Sequence, residues 1–371
     1  MAVTYKPIDR QDISSVRTRL HEAIPITGSI VSGTYADGNI KNYAHSMFQS
    51  VYDYPYLSSS ANHIFDLTYG LSTLTTGYGS VTIQPQKKAN IYNQMSQLLV
   101  GYDTTGSIRQ FDRDGIFDGD TAATASIQRA IFMPLSRLLV KDEIKKESFS
   151  MTLGVSSSYN AVFDQQIVIT DSASLTNYRT NSPAGEYALL YASNSVGNAM
   201  GATLQAGQAN ARPVGLIYYQ AGIVVLNTLM FATTSSDGII GNDHSTLNWL
   251  SSSAGGNITI ASALTGSTIP VISDGFRRRI ANISFNNTTE LNSTIYFCRV
   301  GNSDFNYSSN PTYLTGSQIV VKNTPTDDPV AYFTTVGLYS ADNELLAVAK
   351  LSEPLRKDPT ISHTIRVRLD Y

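Results

Sequence analysis

The sequence predicts a mainly β protein, built of antiparallel sheets or a sandwich with a minor helical portion toward the N-terminus, α+β overall. Three observations carry this. Charged residues make up only 15% of the chain, against roughly 25% in ordinary soluble domains, and Ser, Thr, Asn, Tyr and Gly take their place. From about residue 146 onward, short apolar runs alternate with Ser, Asn and Gly clusters, the signature of successive strands. At the end of the chain Ile361, His363, Ile365, Val367, Leu369 and Tyr371 alternate with Ser362, Thr364, Arg366, Arg368 and Asp370. That period of two gives a strand with one buried and one wet face.

In chain order, residues 1–60 lack sustained periodicity and read as an extended arm, with Asp12 placed to cap a short helix. Residues 61–145 read as a mixed helical region. Within it Ile91, Met95, Leu98 and Leu99 recur at helical spacing over 86–100, with Gly101 as the stop. A second helix is expected from Thr121 to Ile131. Residues 146–270 form a β-rich middle domain, where "PVGLIYY" and "GIVVLNTLMF" make a tight hairpin about Gln220, Ala221 and Gly222. Residues 271–371 form a C-terminal antiparallel β domain, to which "PVISDGFRRRIANI" (270–283) adds one short helix.

"GLYSADNELLAVAKLSEPL" is a hairpin apolar on both faces. On one limb Tyr332, Val336 and Leu338 point opposite to Phe333 and Tyr339; on the other Leu345, Ala347, Ala349 and Leu351 oppose Leu346 and Val348. A strand apolar on both faces is covered on both faces, by its own domain or by a neighbouring molecule. With the aromatic cluster of residues 39–70, this makes Tyr52, Tyr54, Tyr56, Val336, Leu338, Leu346 and Val348 the candidate interface residues.

The net charge of −3 gives no field that would gather a polyanion, so nucleic acid is not an expected partner. The longest apolar stretch, "AGIVVLNTLMFA", falls short of the ~20 residues of a membrane span, and no apolar signal core follows Met1. The expectation is a soluble protein made in the cytoplasm. Cys298 is the single cysteine and reads as a small core residue. Histidines 21, 45, 63, 244 and 363 are scattered singly and no nucleophile, metal or nucleotide motif is present. No enzyme and no cofactor are expected. "FDRDGIFDGD" gathers Asp112, Asp114, Asp118 and Asp120. Its spacing departs from a calcium loop, so a solvated turn is the expected reading and a hard cation the alternative. Arg277, Arg278 and Arg279 read as a solvated helix face with one ion pair.

The passages "FNYSSNPTY", "VAYFTTVGLYSADNELLAVAKLSEPLRKD" and "TIRVRLDY", with "NIKNYAHSMFQSVYDYPYLSSSANHIFDLT" and "LSRLLVKDEIKK", resemble virion structural proteins of contractile-tailed bacteriophages, notably those of marine bacteria and cyanobacteria. The "VGLY…NELLAVAKLS" unit also resembles a module near the attachment ends of tail-fibre and baseplate proteins. The resemblance implies a non-enzymatic virion subunit of the tail or baseplate, assembled in the host cytoplasm, whose partners are other virion proteins and copies of itself. A capsid or neck decoration protein is one alternative. A glycan-binding tail component, with tyrosines and Trp249 as sugar platforms, is another.

Overall fold

Strands account for 50% of the described residues and helices for 18%, so the chain is mainly β. The computed structural model describes residues 5–27, 39–53, 63–75, 83–118, 126–155, 162–164, 166–194, 213–231, 260–307, 314–315, 318–319, 326 and 328–371. In chain order the elements are β1 (Ile13–Thr27), β2 (Ile40–Asn42), β3 (Gln49–Tyr52), β4 (His63–Leu71), α1 (Ile83–Leu99), β5 (Arg129–Pro134), α2 (Arg137–Val140), β6 (Glu143–Ile144), β7 (Ser150–Gly154) and β8 (Gln166–Thr170). There follow α3 (Ser174–Asn177), β9 (Arg179–Ser182), β10 (Gly185–Asn194), β11 (Pro213–Tyr218), β12 (Ile223–Asn227), α4 (Ile260–Gly266), α5 (Ile269–Arg277) and β13 (Ile280–Val300). The chain closes with β14 (Leu314–Thr315), β15 (Gln318–Ile319), β16 (Ala331–Tyr339), β17 (Leu345–Lys357) and β18 (His363–Asp370).

Two compact units result. A central unit comprises Leu20–Thr289, and a terminal unit combines Met1–Arg19 with Glu290–Tyr371. The sequence reading has four segments, and the contacts group the chain into these two units. The segment read as an arm is divided between them and supplies strands, because Ile13–Thr27 pairs with β13. Asp12 does not cap a helix. It ends a three-residue 3₁₀ turn, and its carboxylate accepts a bond from Arg299 Nε at 2.6 Å.

In the central unit one antiparallel path runs β7-β8-β10-β11-β12-β5-β4-β3-β2, the antiparallel sheet that the sequence predicts. The predicted hairpin is β11–β12, with Leu216 opposite Val225 and Gly222 at a positive φ of 66° in its turn. The helix expected over Thr121 to Ile131 is not found. Residues 121–125 lie outside the described residues, and Arg129–Pro134 is a strand held between β12 and β4. Burial between two partners outweighs local propensity there.

Helix α1 follows its apolar stripe. Ala89, Ile91, Tyr92 and Leu99 are buried, Met95 is half-buried, and Gly101 follows with φ of 87°, a left-handed stop that glycine tolerates. Leu98, expected inside, is 56% exposed. The helix lies close on β4 because Gly70 has no side chain: a Cβ there would meet Tyr92 Cα at 3.0 Å. The Tyr92 ring meets Phe111 edge to face at 5.4 Å, and its hydroxyl donates to the Ile127 carbonyl at 2.7 Å.

In the terminal unit the second half of β13 pairs antiparallel with β18, from Ser293 opposite Asp370 to Val300 opposite His363. The alternation predicted for the last strand holds: Val367 is buried, Ile365 and Leu369 half-buried, and Thr364, Arg366, Arg368 and Asp370 exposed. Tyr371, placed on the buried face by the pattern, is exposed. "ANISF" and "STIYFCRV" are one 21-residue strand. Cys298 in it is half-buried, and burial raises its thiol above the ordinary value.

Candidate contact surface

Strands β16 and β17 pair with each other as a separate two-stranded ribbon. Two register shifts decide which side chains face out. Leu338 opposes Ala347 while Tyr339 opposes Leu345, so Leu346 is the extra residue of a β-bulge. A second shift lies between Phe333 and Thr335. The strict alternation expected from the sequence is thus broken twice, and each shift inverts the pattern beyond it. Val336 is half-buried and Leu338 is 8% exposed, on the inner face with Ala347, Ala349 and Leu351. Phe333 joins that side and meets the His363 ring edge to face at 5.7 Å. Tyr332 and Leu345, which strict alternation puts on the same faces as Leu338 and Ala347, are both 53% exposed.

The outer face carries Tyr339 at 44% exposure, Leu345 and Val348 at 53% and Leu346 at 68%. Gly337 makes room for them: a Cβ there would meet the Tyr339 ring at 2.9 Å and Leu345 at 3.3 Å. Tyr5 extends the patch, its ring 4.8 Å from that of Tyr339. Polar Glu344 and Lys350 border it, both exposed. Of the predicted interface residues, Leu346 and Val348 are therefore at the surface while Val336 and Leu338 support them from beneath.

The far end of the ribbon is fixed by Lys357, fully buried. Its Nζ donates to the Asn302 carbonyl at 3.0 Å, to Asn306 Oδ1 and to the Asp358 carbonyl at 2.8 Å. Asp358 in turn accepts the Thr360 hydroxyl and N–H, which hold its carboxyl below the usual value. A buried ammonium needs such a set of acceptors.

The aromatic cluster of residues 39–70 lies in the central unit. Tyr52 is buried against the His63 ring at 5.5 Å, and burial pushes its hydroxyl up to about 12. Tyr54 and Tyr56 lie outside the described residues, as do Trp249 and Asp120. Two members of the arginine run are interior rather than solvated. Arg277 and Arg279 are both buried. Arg277 Nε donates to Gln49 Oε1 at 2.8 Å and its Nη2 pairs with Asp274, while Arg279 donates to the Gly154 carbonyl at 3.1 Å.

Asp112, Asp114 and Asp118 form a turn. Asp112 accepts the Asp114 N–H at 3.3 Å and Asp114 accepts the Ile116 N–H at 2.8 Å. Among the described residues no three His, Cys, Asp or Glu side chains converge as a metal site. Burial first, and then the Asp114 charge, pushes the Asp112 carboxyl up to about 6 from 3.8. The folded chain thus keeps a proton that the unfolded chain has lost, and stability falls as pH rises through that window, then levels off. Asp112→Asn is expected to add about 1 kcal/mol at pH 7 and nothing at pH 4, the full linkage being reduced by solvent screening. Urea unfolding at the two pH values checks it.

No helix among the described residues is long and apolar enough to cross a membrane. No protein-family model matches the chain, and no curated protein or solved structure matches it.

Proposed function

We propose that this chain is a structural subunit of a virion, in the tail or baseplate of a contractile-tailed phage, and that it acts by binding neighbouring subunits through the outer face of the β16–β17 ribbon. The observation that carries the reading is the row Tyr339, Leu345, Leu346 and Val348, all exposed on one short ribbon. Apolar side chains grouped in this way mark interaction sites. Covering each would contribute about 1 kcal/mol, at roughly 25 cal/mol per Å² of apolar area removed from water. A polar border around an apolar centre is the ordinary anatomy of a protein interface. The resemblance of this same segment to phage tail modules supports the particle as its setting.

The double variant Leu345→Glu, Val348→Glu tests it. Wild-type chain is expected to form larger species with rising concentration in sedimentation velocity, and to enter particles when supplied to a phage lacking it. The variant should sediment as a monomer, fail to enter particles and keep the wild-type melting curve. Incorporation of the variant at the wild-type level would overturn the reading, as would a wild-type chain that stays monomeric and is absent from particles.

A further inference from the structure

On the central unit, the loop after β8 and the strands β9 and β10 enclose an open cleft of about 350 Å³. That is the lower end of the roughly 300–1,000 Å³ range of ligand pockets, a size for one small ring. Its walls include Tyr178, Tyr191, Arg179 and Asn177, with Thr176 and Leu189 between them.

The cleft is held in shape from behind. Buried Asp171 accepts the N–H groups of Glu147 at 2.8 Å and Phe149 at 3.1 Å. It also accepts the hydroxyls of Ser174 at 3.1 Å and Tyr219 at 2.9 Å. Four donors saturate this carboxylate, so it anchors the loop without presenting itself as an acceptor to the cleft. Lys146 Nζ sits 4.2 Å from the centre of the Tyr178 ring and pairs with Glu186, which fixes one face of that ring by cation–π attraction.

Arg179 is the charged residue of the cleft lining. It is half-buried at the cleft, and its guanidinium interacts with the Tyr187 hydroxyl. Tyr187 is itself held by the Gly115 carbonyl at 2.7 Å and by Asn181. Among the described residues no carboxylate lies within ion-pair distance of Arg179. A guanidinium presents a planar donor fork matched to a carboxylate. Tyrosine rings beside it offer apolar faces, and Asn177 and Thr176 offer hydrogen bonds to ring hydroxyls.

We propose that this cleft binds a carboxylate-bearing sugar ring of the uronic-acid class, with Arg179 taking the carboxylate and Tyr191 and Tyr178 walling the ring. Titration of the full chain with D-glucuronate, D-glucose and inorganic phosphate, followed by ligand-observed NMR, tests it. Glucuronate should saturate with a millimolar Kd, the usual range for a single small ring, and glucose should bind at least about tenfold more weakly, the loss of one charge-assisted pair. Arg179→Gln should reduce glucuronate to the level of glucose, Arg179→Lys should keep some of the preference, and Tyr191→Ala should weaken both sugars. Circular dichroism melts confirm that each variant is folded. Absence of saturable glucuronate binding overturns the proposal. So does phosphate binding as tightly as glucuronate, which would leave an anion site alone, or glucuronate binding unchanged in folded Arg179→Gln. None of these outcomes depends on assembly through the ribbon.

Discussion

Replacing Gly70 with alanine is expected to destabilise the central unit by about 3 kcal/mol, near the upper end for an overpacked core, and Gly70→Val should prevent folding. The added Cβ would lie 2.7 Å from Phe132 Cε2, 2.9 Å from Tyr92 Cβ and 3.0 Å from Tyr92 Cα. A ring edge can yield, but the helix backbone yields only if α1 lifts from the sheet. Lifting it would loosen the wedge of Tyr92 against Phe111 and Phe132 and pull its hydroxyl from the Ile127 carbonyl. Gly106→Ala is the natural control. Its φ of 82° is unfavourable to alanine, yet nothing lies within 4 Å of the new Cβ, so about 1 kcal/mol is expected from backbone strain alone. Urea midpoints followed by circular dichroism measure both. A Gly70→Ala chain no less stable than Gly106→Ala would show that α1 does not depend on this close approach.

The second large effect concerns Lys88 and pH. This lysine is fully buried on α1, and its ammonium donates to the carbonyls of Leu264 and Ser267. Those carbonyls belong to the end of α4, where helical partners run out. Burial pulls the Lys88 ammonium down to about 8 from 10.5. Above that value the folded chain has shed a proton that the unfolded chain still holds, so stability rises with pH until the ordinary lysine value is reached. Buried tyrosines act in the opposite sense at higher pH: Tyr69 and Tyr92 are raised by burial, and unfolding releases their protons once pH exceeds about 10. The clear window is therefore from about pH 8 to 9.5, with an expected gain of about 2 kcal/mol. Lys88→Met should remove this slope. Equal slopes in the two proteins would mean that Lys88 reaches water.

What the sequence revealed and what it concealed follow a physical division. The last strand and the stripe of α1 were legible because their partners repeat at fixed spacing along one element. Lys88, Arg277 and Arg279 were read as surface groups, or not singled out, because what satisfies them is remote in sequence: Gln49 is 228 residues from Arg277 and Leu264 is 176 from Lys88. "ANISF" and "STIYFCRV" read as separate apolar runs, and the polar "NNTTELN" between them carries no apolar pattern. It is the middle of β13, where Asn287 and Thr288 are buried and Asn287 Nδ2 donates to the Leu139 carbonyl at 2.9 Å. The ribbon was legible as a hairpin and as a greasy one. Its outward face was not, since the bulge at Leu346 depends on strand pairing and alternation cannot express an extra residue.

The composition of the terminal unit sets a timetable. Tyr5 rests on Tyr339, and Lys6 pairs with Asp304, 298 residues further along the chain, so these residues meet their partners only after the whole central unit has been translated. Every residue of the central unit has been translated once Thr289 is added, and compact units generally fold as they emerge. Strand β17 thus becomes available only after the central unit has had time to fold, and a product cut short before Leu345 would lack the exposed apolar row that we propose as the contact surface.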